Sequence, residues 1–431
     1  MQNRIKKESM RITSELPVSN TMTAVSRTSA PRWWERVVVG ILFVTAIVCA
    51  RAAQPGNGGA NAACPPKTLQ AIARFYMASG DYDKAENFAN KALDAALTKE
   101  GTEEDTTSCL IDLVWVYKNQ GRLFEAEKTC LLGLQLQQQL YYKDHPYIAY
   151  TLRILGSIYQ AQGRYSQAGE SLDRAMTIIR KCHSADDPIV ASFEVDIARL
   201  LVAEGRFAEA EATYERAIRL ISDYYGIDHL YTAGVLGDIA KLYYLQGRYD
   251  EAEQLLNYAT TIQQQVFGQG HRLLVPNQLT MAKIYQARGE SKRAEYILAD
   301  ALAVAQNNQG SFEPLKGEIF TVMAEVYLDS GRYNEAQVAC DKAISILEKS
   351  VGPDSDITAM AINCQVRLYA LDGKYDQAYE LGCQVLTSLE TALSPSHPSI
   401  IAVNETMCLT QEVQTVAQVA KTDEKSRQFT P

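Results

Sequence analysis

Apolar and polar positions along most of this chain recur with a long period. Four residues before a repeating glycine stand Tyr76, Tyr117, Tyr159, Leu201, Tyr243, Tyr285, Tyr327 and Tyr369. Seven before it stand Ala73, Val114, Gly156, Ala198, Ala240, Ala282, Ala324 and Val366. One large ring and one small residue predict a first helix whose apolar face lets a neighbour press close. The glycines themselves (Gly80, Gly121, Gly163, Gly205, Gly247, Gly289, Gly331 and Gly373) are 41 residues apart once and 42 apart six times. They suit a helix stop with positive φ before the chain reverses. A second helix is predicted after each. It opens on Tyr82, Leu123, Tyr165, Phe207, Tyr249, Tyr333 or Tyr375, and Ala85, Ala126, Ala168, Ala210, Ala252, Ala294, Ala336 and Ala378 follow without exception. Glu86, Glu127, Glu211, Glu253 and Glu295 fall in its first turn, where the helix dipole favours negative charge, and read as capping and solvation.

Between repeats the chain varies on Asp-His-Pro, as in Asp144-His145-Pro146, Asp187-Pro188, Asp228-His229 and Ser396-His397-Pro398. Asp or Ser ahead of proline predicts an N-cap acceptor and a first helical residue that needs no N–H. Four of the five histidines (His145, His229, His271 and His397) occupy this slot. Asp187, Glu313 and Asp354 hold it in other copies, so a metal ladder is not expected. No catalytic motif and no cofactor or metal site is evident. Each prominent glycine sits in a helix hairpin and not in a phosphate-cradling loop, so an enzyme is not expected.

The series of small residue, Tyr, Gly, aromatic and Ala (Ala240, Tyr243, Gly247, Tyr249, Ala252, Ala259) resembles the tetratricopeptide repeat family, or TPR. The 42-residue period and the Asp-His-Pro turn are similar to the long repeats of the kinesin light chain cargo-binding region. That resemblance implies an all-α fold: a right-handed superhelical solenoid of antiparallel helix pairs. It would hold about eight TPR units over residues 67–420, the last closed by an added helix from Ile400 to Ala420. The heptad coiled coil of kinesin light chains is absent, so their transport role does not carry over. The sixth copy departs from the pattern with Ser291 in the aromatic position and Pro276 early in its first helix, which predicts a bend or looser packing there. Residues 421–431 read as a disordered polar tail.

Charge changes the picture at the N-terminus. Residues 1–36 are basic, 37–50 (VVVGILFVTAIVCA) carry no charge, and Ala50-Arg51-Ala52 supplies a small-x-small site before a flexible linker over 53–66. This is the pattern of a signal peptide over 37–52, too short for an ordinary span, with membrane anchoring as the alternative fate. Met22 would give a more usual leader. Either way the bulk of the chain is expected beyond the cytoplasmic membrane: periplasmic, secreted or envelope-anchored. Export would let cysteines pair, and Cys109 with Cys130 and Cys364 with Cys383 are the candidates, each across one hairpin. The net charge of −9 argues against nucleic acid.

The resemblance also implies that the position six before each glycine faces the concave groove. It reads Arg74, Trp115, Ser157, Arg199, Lys241, Lys283, Glu325 and Arg367, five of eight basic. The expected partner is therefore a protein or peptide with an acidic segment, anchored near one end by Trp115. The expected role is a protein–protein interaction scaffold. The alternative is a structural, self-associating repeat protein of the cell envelope with no dedicated ligand.

Overall fold

The structure, a computed structural model, describes residues 65–79, 81–97, 102–307, 313–353, 355–393 and 397–428. The basic segment, residues 37–52, the linker to 64 and Gly80 lie outside the described residues. Seventeen α-helices and no strand are found among those described. They pair as α1 (Pro66–Ser79) with α2 (Tyr82–Ala96), α3 (Glu103–Asn119) with α4 (Leu123–Leu140), α5 (Pro146–Ala161) with α6 (Tyr165–Cys182), and α7 (Pro188–Ala203) with α8 (Phe207–Tyr225). The series continues with α9 (Leu230–Leu245) and α10 (Tyr249–Phe267), α11 (Val275–Ala287) and α12 (Ser291–Asn307), α13 (Glu313–Asp329) and α14 (Tyr333–Ser350), and α15 (Asp356–Leu371) and α16 (Tyr375–Ala392). A last helix, α17 (Pro398–Gln428), follows. Each pair is one unit, eight in all. Successive first helices also pack on one another directly, which puts them on the inner side of the curve.

The turn inside each unit is the same device. In the second unit the Arg122 N–H bonds the Tyr117 carbonyl at 2.9 Å and the Gly121 N–H bonds that of Lys118 at 3.2 Å. This is a Schellman motif, and it needs Gly121 at φ 74°. The arginine after the glycine lies back over the tyrosine ring, with its Cζ 4.4 Å from the centroid for Arg122 on Tyr117 and 3.7 Å for Arg248 on Tyr243. Its Nη1 then reaches the preceding unit: Arg122 to Glu86 at 2.8 Å, Arg164 to Glu127 at 2.7 Å, Arg248 to Glu211 at 2.6 Å, and Arg332 to Glu295 at 2.7 Å. Those glutamates are ties between units, which corrects their reading as caps. In the sixth unit Glu290 replaces the arginine, and Arg288 makes the tie to Glu253 at 2.5 Å.

The small residues do what their spacing predicts. Ala73, Val114, Ala198, Ala240, Ala282, Ala324 and Val366 are fully buried. At Gly156 a Cβ would stand 2.9 Å from Leu172 Cγ of the partner helix. The unusual sixth unit is shortened and stays packed. Arg272–Leu274 form a 3-10 turn, Pro276 falls in the first turn of the 13-residue α11, and Val275, Leu279 and Ala282 are buried.

The inter-repeat turns are capped as expected, but the acceptor is often the histidine itself. Nδ1 of His145 takes the Tyr147 N–H at 3.2 Å, that of His229 takes Tyr231 at 3.1 Å, and that of His397 takes Ser399 at 3.1 Å. His145 and His229 also stack on Tyr141 and Tyr225, which cap or close the preceding second helix, at 4.2 and 4.9 Å. Asp144 instead accepts from Lys181.

Two further expectations are corrected. Cys109, Cys130, Cys364 and Cys383 are free thiols. The two faces of a hairpin point at opposite neighbours: Cys109 packs back on Leu69 and Ala92, whereas Cys130 points forward to the Thr151 carbonyl. Cys364 likewise packs back on Ala324 and Ala336, while Cys383 lies against the cluster that contains Met407. Burial pushes the Cys109 and Cys130 thiols up to about 12. The last helix runs to Gln428, past Ala420, because no Gly or Pro interrupts 399–428 and its polar residues are helix formers.

Gly156→Val is expected to destabilise by about 1–3 kcal/mol, read from the urea midpoint, because the Leu172 side chain must move. Arg248→Ala removes a ring contact and a tie and should cost about 1–2 kcal/mol. Arg206→Ala, whose guanidinium bonds only Glu204 and Glu209 of its own unit, should cost under about 0.5 kcal/mol in the same measurement.

Candidate functional site

The inner face is built from one side of the odd-numbered helices, each oriented by the turn it enters. The six candidate residues all fall on these first helices, and three of the five basic ones are held in ion pairs. Arg74 Nε bonds Asp112 Oδ1 of the next unit at 2.8 Å. Arg199 holds Asp238 with Nε at 2.8 Å and with Nη2 at 2.6 Å, and holds Asp196 with Nη1 at 2.7 Å. Arg367 Nη2 bonds Asp329 of the preceding unit at 2.8 Å. Lys241 is exposed, Lys283 is half-buried, and Trp115 is 40% exposed.

Sequence reasoning missed the residues between these. Arg153 pairs with Asp196, which links α5 to α7 and makes a chain Arg153–Asp196–Arg199–Asp238 across three successive first helices. Lys118 donates to Ser157 Oγ at 2.8 Å and sits 5.2 Å from the Trp115 ring centroid. Burial, with Arg199 and Arg153 nearby, pushes the Lys118 ammonium down to about 8 against the opposing pull of Asp196 and Cys130. One signal was available: Asp112, Asp196 and Asp238 all lie nine residues before their glycine. Basic groove residues of Arg74 and Arg199 type meet that position in the next unit.

Some buried polar atoms of the first helices have no bond. The Tyr231 hydroxyl is buried and unbonded in the field of Arg153, Asp196 and Arg199. Asn363 Oδ1 is likewise buried without a bond, and the Gln70 amide lies beside the Asp112 carboxyl. Burial pushes the Asp112 carboxyl above its ordinary range against the pull of Arg74. It does the same at Glu325 against Lys283 and Arg367. Among the described residues no three His, Cys, Asp or Glu side chains gather as a metal site, and no helix is long and apolar enough to cross a membrane.

Residues 142–316 match the family model of the MalT-like TPR region. Residues 68–103, 106–147 and 315–391 match tetratricopeptide repeat models. No curated protein matches the chain. Among solved structures, NprR in complex with its cognate peptide NprX is 12% identical with a TM-score of 0.56, over 83% of this chain and 95% of that one. A Rap protein complexed with Competence and Sporulation Factor is 15% identical with a TM-score of 0.52, over 74% and 89%. A Podosopora anserina chain described as a kinesin light chain with nearly identical TPR-like repeats is 24% identical, over 47% and 97%, with a TM-score of 0.36. The family matches take in each of the eight units, and the chain is a tetratricopeptide repeat protein.

Proposed function

We propose that this protein is a protein–protein interaction scaffold that holds an extended partner segment along its inner face and works beyond the cytoplasmic membrane. The observation that carries the binding role is the accessible set on the first helices: Trp115, 40% exposed, with the Lys118 ammonium 5.2 Å from its ring centroid, and the exposed Lys241. An exposed aromatic ring beside cations on the surface of a repeat array offers an extended segment both an anchor and a charge partner. The fold shared with NprR, described with its cognate peptide NprX, supports the same reading. TPR arrays serve as scaffolds as a rule and not as enzymes.

The partner segment we infer is acidic. Its carboxylates meet Lys241, Lys283 and the ammonium of Lys118, and an apolar residue settles on Trp115. The arginines Arg74, Arg199 and Arg367 are held by aspartates and act mainly by shaping the face. The work beyond the membrane, as an exported or anchored adaptor, rests on the basic, apolar and small-x-small order of residues 1–52.

Capture of partners by the full chain, followed by titration of the captured segment, tests this reading. Lys241→Glu, at an exposed position, is expected to weaken binding about five- to tenfold, as added salt should. Binding indifferent to both would sink the acidic-segment reading. The Glu325 carboxyl gives a second, ligand-free check. Its pKa is raised in the fold, so its contribution is full below the ordinary carboxylate range and is lost as pH rises through the folded value. Glu325→Gln should therefore raise the melting temperature at neutral pH by on the order of 2 °C, with the gain vanishing in acid.

A further inference from the structure

Seven joints connect the eight units, and two lack the arginine–glutamate tie. At the joint of the third and fourth units Gly169 stands where the glutamate belongs, and Leu201 replaces the tyrosine. Arg206 there bonds only Glu204 and Glu209 of its own unit, at 2.9 and 2.7 Å. At the joint of the seventh and eighth units Gln337 replaces the glutamate, and Lys374 bonds Asp372 of its own unit at 2.6 Å.

The first of these joints is met by a distant part of the chain. The Tyr165 hydroxyl donates to Asp356 Oδ2, at the start of α15, at 3.3 Å. The Tyr165 ring stacks on His397, just before α17, with centroids 5.7 Å apart and planes at 19°. Ala203, at the end of α7, lies beside the same imidazole. Tyr165 and His397 are 7% and 4% exposed, so the contact is closed to water. One unit earlier, the Gly121 turn lies against the Ser350 carbonyl and Pro314.

We propose that the joint between the third and fourth units is a hinge, held shut by the docking of Tyr165 and Ala203 against Asp356 and His397, whose release separates these units from the C-terminal end of the array. On the inner side Arg153–Asp196 and the bond from Gln160 to the Arg199 carbonyl remain, so the joint pivots there and opens at the turns. The lock responds to acid. His397 Nδ1 accepts the Ser399 N–H, which only the neutral imidazole can do. The groups facing it are Asp356, Tyr165 and the Ala203 carbonyl, with Glu204 beside Tyr165. Burial holds its pKa below the usual histidine value although Asp356 pulls the other way. The closed form is therefore stable above the unfolded value of about 6.5 and is lost as pH falls through the lower folded value. That opening admits a ligand is a consequence resting on the groove reading; the opening itself does not.

Small-angle scattering of the full chain at about pH 8 and about pH 5.5 tests the hinge without any ligand. Wild type should expand at the lower pH with its helical circular dichroism unchanged. His397→Asn, which keeps a cap acceptor but cannot titrate, should remove the pH response. Tyr165→Phe should quicken hydrogen exchange over residues 203–207 about fivefold at the higher pH. Gly169→Glu offers Arg206 the missing partner at a site where a Cβ meets only Leu200, 3.7 Å away, and should suppress the expansion. Identical profiles and exchange for wild type, Tyr165→Phe and Asp356→Asn at both pH values would overturn the proposal. So would expansion with loss of helicity, or expansion that Gly169→Glu leaves unchanged.

Discussion

The array depends on one compact arrangement: an arginine that follows a positive-φ glycine, lies on its own tyrosine and grips a glutamate of the unit before. The glycine turn alone would reverse the chain without fixing how the next pair sits. The ring beneath the guanidinium removes its freedom to swing, so the ion pair forms between two already placed groups, as at Arg248 over Tyr243 and against Glu211. An exposed ion pair contributes little by itself because its side chains must be ordered; here the ring has ordered one of them. Repetition of this arrangement sets the angle between neighbours, and that angle brings the first helices to a common inner side.

Repeat length, hairpin turns and the small and large apolar positions were legible in the sequence because each is enforced within one unit. Gly121, Tyr117 and Val114 act through residues a few positions away, and any such pattern repeats in register. Contacts between units are harder to read. Arg164 and Glu127 are 37 residues apart, and nothing local marks Glu127 as anything but a first-turn acid. The same holds for Arg199, whose partner Asp238 is 39 residues on. Read alone, the groove column looks like a basic stripe; read with its neighbours, it is mostly a row of paired charges. The cysteines show the limit from the other side. Cys109 and Cys130 share a hairpin, yet its two faces belong to different neighbours.

His397 and Tyr165 could not be paired from sequence, since their meeting depends on the summed rotation of all intervening units. That contact also separates this array from a simple chain of nearest neighbours, in which stability accumulates joint by joint. A contact between distant units makes the middle of the array feel its end. The dock adds one hydrogen bond and one ring stack, on the order of 1–3 kcal/mol and comparable to the loss of one local tie, to an apolar cluster shared by the same two regions.

The shared geometry of the joints has an implication for how such a chain can grow. Ties at the Arg122, Arg164, Arg248 and Arg332 joints are interchangeable, so a unit between them could be duplicated or removed and each new neighbour would still fit. The closure tolerates no such change. One unit more or fewer between Tyr165 and Asp356 would turn the end of the array away and leave His397 with nothing to stack on. The number of units is thus a structural parameter in its own right, fixed by where the end of the array meets its third unit and not by how much surface the array must offer.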